Sequence, residues 1–464
     1  LSTERPDTAR QTYARAAWLF LRLLALIYAA AFWSLGVQIA GLAGLHGILP
    51  SGLSDATLQA LCYTGVALSL LLIAGVVPAA TLAALWIDYL FLSFQSADFL
   101  SYQWDTLLLE VGFLASVTAP WVWRERPNRL DTPPTIVVWI FRWLLFRLMF
   151  ASGAVKLSSG DPTWHNLTAL AFHFETQPIP TPLAWYVHLL PAALLKALTA
   201  LTLTIELGAP LLILGPRRLR LAAFVLLTGL QTVIALTGNY AFFNLLTIAL
   251  CVWLLDDAAL AGRGTPAPAN PRWSALRRGI ATAAALVTLP VSAFLFAGSM
   301  GIQLPGAVFV EPVAEVVMPL RIVNRYGLFA VMTTTRPEIV IEGSDDGERW
   351  LEYEFKYKAG DVHRPPPWVA PHQPRLDWQM WFAALGEYPT EPWLHDFCDR
   401  LLEADPKVLA LLASDPFNGG KPRFLRAVLY QYQFSDWTTG RRDGVWWTRE
   451  RIGAYSPVLS HGSP

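Results

Sequence analysis

A polytopic α-helical membrane protein carrying an extramembrane, strand-rich α+β domain at its C-terminal end is the fold class this sequence predicts, and three observations carry it. Of 464 residues, 54% are hydrophobic and only 15% are charged, where an average soluble domain carries about a quarter charged residues. The imbalance is one-sided: residues 16–300 are nearly all apolar, whereas 305–464 read like an ordinary soluble sequence. The 20 tryptophans gather near the ends of the apolar runs, as expected of an aromatic belt at a membrane interface. The division predicted is a transmembrane helical domain over 1–303 and an extramembrane C-terminal domain over 304–464.

A helix needs about twenty apolar residues to cross roughly 30 Å of hydrocarbon. Runs of that kind occupy 16–39, 58–77, 79–96, 105–123, 136–157, 184–214, 219–237, 240–255 and 279–299, which predicts about nine transmembrane helices. The first run is longer than a signal-peptide core and no small-residue cleavage site follows it, so it reads as a retained helix. The second and third meet at Val77-Pro78 and form a tight hairpin; the sixth is long enough to tilt or to kink at Pro191.

Basic residues orient these runs. Arg5, Arg10 and Arg15 precede the first, Arg-Glu-Arg-Pro-Asn-Arg fills 124–129, Arg-Arg-Leu-Arg fills 217–220, and Arg263, Arg272, Arg277 and Arg278 precede the last. With nine crossings all four stretches fall on one side, and the intervening loops 40–57, 97–104, 158–183 and 238–239 contain no Lys or Arg. The positive-inside rule then predicts a cytoplasmic N-terminus and a non-cytoplasmic C-terminal domain, facing periplasm in a bacterium or lumen in a eukaryote.

A Gly/Pro/Ala-rich linker, 257–272, precedes the last run. Beyond residue 300 the pattern changes. Residues 338–358 alternate around Asp345-Asp346-Gly347, a hairpin signal. A Pro-rich extended stretch, 364–374, is followed by Trp378, Trp381 and Trp393, and helical patterning is predicted at 397–412 and 422–432. A small α+β domain with its strands near the start is expected.

Formal charge is zero, so nothing favours nucleic acid as a partner. Cys62, Cys251 and Cys398 form no C-x-x-C, which speaks against thiol-redox chemistry or a disulfide framework and leaves room for one bridge. Neither G-x-S-x-G, a P-loop nor a dinucleotide glycine motif is present, so a soluble hydrolase has no support and no cofactor is expected. Asp161, His165, His173 and Glu175 lie close in sequence, but the histidine spacing matches no familiar metal site, and none is predicted.

Ionisable side chains at membrane depth are costly and each demands a reason. They are Asp88, Asp105, Glu110, Arg142, Arg147, Lys156 and Glu206. Arg147 requires a carboxylate, and Glu110 and Glu206 both qualify; Asp105 is expected at the interface. Lys156 ends its run after Ala151-Ser152-Gly153-Ala154, small residues that permit close helix approach. It either snorkels to the interface or, desolvated and away from anions, acts as a base. The following loop predicts an interfacial amphipathic helix, 163–174, capped by Asp161 with Pro162 in its first turn. Trp104, Asp105, His165, His173, Asn239 and Tyr240, with His46 beside them, are predicted to line one outward-facing pocket around Lys156.

Four blocks resemble the lipase maturation factor family: FLSYQWDTLLLEVGFL at 99–114, the whole of 142–191, NRYGLFAVMTTTRPEIVIEGSDDGERWLEYEFKY from 324, and a block starting at 365 that contains APHQPRLDWQMWFAALG. They span both halves of the chain. The resemblance implies a membrane protein that assists secreted lipases in reaching an active fold; eukaryotic members reside in the endoplasmic reticulum. Abundant Ala, Arg and Trp give this chain a bacterial look, so an inner-membrane location is expected, with membrane lipid and secreted client proteins as partners. A more distant similarity links Gly153-Ala154-Val155-Lys156-Leu157, with Asp161 and Trp164, to the A-G-V-K-K-L-D-x-D-W motif of vitamin K-dependent gamma-carboxylases and HTTM-type membrane proteins. Lys156 falls on that motif's base, although Val155 replaces its first lysine and the spacing to Trp164 differs; Asn324-Arg325-Tyr326-Gly327 is weakly similar as well.

Two functions follow. A maturation factor without chemistry of its own would hold clients on a surface around Trp368, Trp378 and Trp381, unless those rings are core. A carboxylase-like enzyme would use Lys156 as base on a quinone-like or lipid substrate. A transporter lacks the expected pair of broken helices.

Overall fold

The computed structural model describes residues 11–127, 129–261 and 273–461. Arg5, Arg10, Asn128, Arg263 and Arg272 lie outside the described residues; of the linker's start, a short helix Asp257–Ala261 is described.

Every predicted apolar run contains a helix: α1 Ala14–Gly36, α2 Asp55–Ile73, α3 Pro78–Gln95, α4 Gln103–Thr118, α5 Thr135–Ser158, α6 Ala192–Leu212, α7 Arg217–Thr237, α8 Phe243–Cys251 and α9 Ala275–Ser299. Among the described residues six of them, α1, α2, α5, α6, α7 and α9, are long and apolar enough to cross a membrane. Local chemistry sets the breaks. Ser54 caps α2 by accepting from the Thr57 amide. Pro78 sits in the first turn of α3, where its missing N–H costs nothing. Pro191 divides the predicted run 184–214 into a short helix, Pro182–His188, and α6.

The predicted helix 163–174 is instead two short helices, Pro162–His165 and Ala169–Thr176. They part at Leu167, whose φ of 59° is left-handed and cannot propagate a right-handed helix. Asp161 caps the first, its Oδ1 accepting from the Thr163 amide at 2.7 Å.

Among the described residues, basic side chains in or next to three of the four basic stretches pair with carboxylates: Arg22 with Glu125 at 2.6 Å, Arg217 with Asp256 at 2.5 Å, and Arg277 with Asp131 at 2.9 Å. Each of the loops free of Lys and Arg touches the C-terminal domain. Arg400 Nε donates to the Gly47 carbonyl at 3.1 Å, Gln379 Nε2 to that of Asp98, Trp381 Nε1 to that of Thr176 at 2.9 Å, and Asn239 Nδ2 to that of Pro367 at 2.8 Å.

That domain is reached through a helix, Ala307–Val317, packed along α9. Its sheet comprises β1 Arg336–Ser344, β2 Leu351–Phe355, β3 Leu412–Ser414, β4 Phe424–Phe434, β5 Trp447–Ala454 and β6 Leu459–Ser460, in the antiparallel order β3-β2-β1-β4-β5 with β6 also on β4. β1 and β2 form the predicted hairpin, with Ile341 opposite Tyr353. In the turn Asp346 Oδ1 accepts from the amides of Glu348 and Arg349, both at 2.8 Å, and Gly347 takes φ 79°.

Residues 422–432, expected to be helical, fall largely in the interior strand β4. Leu425, Val428 and Tyr432 are spaced as on a helix face, but all three are buried in a strand bonded to β1 on one side and β5 on the other. Leu425 and Val428 are three apart and so face opposite sides of the strand, which breaks the simple alternation. β1 and β2 open the domain and the other four strands begin at Leu412 or later, so strands run through it rather than gathering near its start. The run 397–412 resolves into helices Pro392–Leu402 and Pro406–Leu409 before β3. Trp378, Trp381 and Trp393 are buried, whereas Trp368 is 56% exposed. The three cysteines are buried and unbonded.

Candidate functional site

The end of the bundle that meets the C-terminal domain holds three buried ion pairs among the described residues, and each joins segments remote in sequence. Arg147, on α5, pairs with Glu110 on α4, and donates from its other terminal nitrogen to the Asn324 carbonyl at 3.1 Å. Glu110 Oε2 is saturated from the far side by the Asn324 amide at 3.0 Å, Asn324 Nδ2 at 3.1 Å and the Tyr326 hydroxyl at 2.7 Å. Of the two carboxylates open to Arg147 on sequence, Glu110 is the one it meets. Asn324 and Tyr326 come from the segment that leads into the C-terminal sheet, so this network is also a joint between the two halves.

Asp105 does not sit at a hydrated interface. It is fully buried, and Arg375 grips both its oxygens, at 2.9 and 3.0 Å. Tyr89 donates to Oδ1 at 2.5 Å, and Arg375 also donates to the Phe99 carbonyl at 2.5 Å. A carboxylate at helix depth is tolerable because a guanidinium, delivered by the C-terminal domain, forks onto it with matching geometry. Sequence reading missed Arg375; the signal was an Arg between Pro374 and an apolar run.

Lys156 is buried and its Nζ lies 2.6 Å from both oxygens of Glu206 on α6. It neither snorkels nor stands among neutral walls: the expected surroundings, acceptors with few anions, are replaced by a direct counter-ion. Glu206 is accordingly the partner of Lys156, not of Arg147. Gly153 permits this, since a Cβ there would lie 2.9 Å from Leu207 Cγ and 3.0 Å from Glu206 Cβ. Trp164 covers the ammonium, 5.2 Å from ring centre to Nζ, a cation–π contact.

Beside this pair opens an apolar pocket of about 110 Å³, lined by residues of α5, α6, α7 and α8 together with Trp164, His173, Tyr240 and Phe329. Of the six residues predicted to surround Lys156, it brings His173 and Tyr240 there. Burial, and then the charge of Lys156, lower the His173 pKa to about 4, so the ring is neutral. The Tyr240 hydroxyl donates to Gln177 Oε1 at 2.7 Å and lies 3.2 Å from His173 Nε2.

The other four lie elsewhere. Trp104 stacks on Tyr102 at 4.7 Å and meets Trp378 edge-on, lining a separate, larger pocket of about 600 Å³ between the two domains. Asp105 is in the Arg375 pair. His165 is exposed at the end of its short helix, and His46 is exposed in its loop. Asn239 is a clamp on the C-terminal domain: its Oδ1 accepts from the amides of Val369 and Ala370 at 2.8 and 3.0 Å, while Nδ2 donates to Pro367. The Pro-rich stretch is extended because its backbone is bound this way, and it continues to Gln373, whose amide donates to Ser34 at 2.8 Å.

Among the described residues Arg142 meets no carboxylate; its Nε donates to the Trp253 carbonyl at 3.0 Å and its guanidinium lies 4.9 Å from the Tyr13 ring centre. Both Asp88 oxygens lack a hydrogen-bond partner among the described residues.

Fold and site together define an integral membrane protein whose helical domain is capped at one end by a strand-rich domain, locked down by buried ion pairs and backbone clamps. Residues 51–262 match the lipase maturation factor transmembrane domain family and 322–457 the lipase maturation factor C-terminal domain family. The chain is 36% identical to lipase maturation factor 2 of Gallus gallus, across 96% of this chain and 81% of that protein. It is 35% identical to lipase maturation factor 2 of Homo sapiens (96% and 83%) and 35% to lipase maturation factor 1 of Bos taurus (88% and 76%). No solved structure matches it significantly. The chain belongs to the lipase maturation factor family.

Proposed function

We propose that this protein assists the maturation of secreted proteins, lipases foremost, from within the membrane, with the helical domain as platform and the C-terminal domain as the client-facing part. The observation that carries this reading is similarity over nearly the whole chain to proteins named for lipase maturation. The clamping of the outer domain by Arg375, Asn239 and Asn324 agrees with it, since a fixed platform serves binding better than a tethered one.

Nine crossings, with α3, α4 and α8 joining the six longest helices, place the basic stretches in the cytoplasm and the C-terminal domain outside. A division near 303 and 304 fits the change from α9 to helix Ala307–Val317. The Ala-, Arg- and Trp-rich composition supports a bacterial inner membrane; the endoplasmic reticulum is the eukaryotic equivalent. The carboxylase-like alternative is not retained, because Lys156 is held by Glu206.

The test is refolding of a denatured, secreted lipase in the presence of this protein in nanodiscs. An increased yield of active lipase over empty nanodiscs is expected; an unchanged yield, with the protein shown folded, contradicts the reading.

A further inference from the structure

The pocket beside the Lys156–Glu206 pair is lined by residues whose buried polar atoms have no partner among the described residues. Gln231 and Asn244 both line it, are 4% and 3% exposed, and each leaves its side-chain carbonyl oxygen without a hydrogen-bond partner. Asn244's orientation is fixed, because its Nδ2 donates to the Gln231 backbone carbonyl at 3.0 Å; the free atom is therefore an acceptor. Gln231 Nε2 points at the Met149 sulfur, 3.5 Å away, which leaves its oxygen as the free end too. Buried polar atoms are almost always paired. Two orphan acceptors in one apolar pocket call for a ligand that donates.

We infer that this pocket binds the headgroup of a neutral, hydroxyl-bearing lipid such as a monoacylglycerol, its hydroxyls donating to Gln231 and Asn244 and its acyl chain leaving between α6 and α7 into the bilayer. Charge argues for neutrality. The one ammonium in the pocket is already matched by Glu206, so an anion gains no free cation and would face two carbonyl oxygens, while a second cation would face Lys156. His173 adds a further acceptor. Tyr240 gives its proton to Gln177 and so receives one from His173 Nε2, which leaves Nδ1 unprotonated on a neutral ring.

Size and exit agree with this. A water-sized group occupies roughly 10–15 Å³ in this measure, so about 110 Å³ takes a glyceryl group and the first carbons of an ester, not a whole lipid. Val233, on the rim, is 57% exposed and continues into the outward apolar face of α7 with Val225 and Leu236, 66% and 45% exposed. On the inner side Phe329 separates this pocket from the larger inter-domain one, since it lines both. It is held at φ 55°, a left-handed conformation unfavourable for an aromatic residue, and packs edge-on to His173 at 4.9 Å.

The experiment uses the full chain in nanodiscs and a photoactivatable analogue of 1-oleoylglycerol. Labelling of α6 and α7 peptides, competed by 1-oleoylglycerol and not by oleate, is expected. Gln231→Leu keeps the volume and removes one acceptor, and should weaken competition about tenfold without lowering the melting temperature, whereas a purely structural glutamine would lower it. Val233→Trp lies on the surface, leaves the fold alone and should block the exit, abolishing labelling. Equal competition by oleate, labelling unchanged in both variants, or no labelling of the folded protein overturns the assignment.

Discussion

Replacing Arg375 with Met removes the guanidinium that enters the helical domain from the C-terminal one. Asp105 then keeps only the Tyr89 hydroxyl at 2.5 Å, and the Phe99 carbonyl loses its donor. Because Asp105 and Arg375 are both fully buried, water cannot replace the lost partner. Removing one member of such a pair costs about 3–5 kcal/mol, a large part of a typical domain's stability. The expected outcome is a lower melting temperature in detergent and faster proteolysis between residue 300 and the first strand. Asp105→Leu combined with Arg375→Met should recover much of the loss, since no charge is then left stranded. Melting and proteolysis of Arg375→Met like those of the unaltered protein would refute the reasoning, as would a double variant no better than the sum of its parts.

The remaining predictions concern the same end of the molecule. Glu110→Gln leaves Arg147 buried without a counter-charge, and should lower the melting temperature about as much as Arg375→Met, whereas Glu348→Gln, in the exposed hairpin turn, should leave it unchanged. Gly153→Leu drives a side chain into Leu207 and Glu206 and should cost about 1–3 kcal/mol, read as a lowered melting temperature; Gly208→Ala, where a Cβ meets open space, should not. Acid should destabilise the fold through histidine. Burial, followed by neighbouring cations (Lys156 for His173; Arg375 and Lys356 for His372), lowers both pKa values to about 4 from 6.5. The unfolded chain therefore takes up these protons first. Their contribution is whole above about pH 6.5 and lost as pH falls toward 4, amounting to on the order of 3 kcal/mol for each at most. Melting curves from pH 7.5 to 4.5 check this: His173→Gln with His372→Gln should flatten the fall, and an unflattened fall would contradict it. A reporter fused after residue 464 should be active only outside the cytoplasm.

Most of the membrane domain was legible because length and hydropathy are local properties. All nine apolar runs hold helices, and Pro78 and Pro191 act where their geometry requires. What escaped was tertiary. Leu425, Val428 and Tyr432 are spaced as on a helix face, and only β4's two neighbours reveal an interior strand. Sequence alone puts Asp105 at the interface because the residue that makes its burial tolerable, Arg375, lies 270 positions away. Sequence lists the charges in the apolar runs, but which of them pair depends on helix rotation and approach. Arg147 and Lys156 are about two and a half turns apart on α5 and so lie on opposite faces, and close approach at Gly153 brings Glu206 to Lys156. Gln231 and Asn244 carried no signal at all; uncharged amides in apolar helices stand out only once their orphaned oxygens are seen.

The central claim is tested most directly in cells depleted of their own lipase maturation factor. This chain would be expressed there with a secreted lipase, and lipase activity per unit of secreted lipase measured. Assembly of the chain would be verified by protease protection of its C-terminal domain. The account predicts that specific activity rises when the intact chain is present and that Arg375→Met, which loosens the outer domain, loses most of the rise. Specific activity that stays at the depleted level, with the chain correctly inserted and folded, would contradict it.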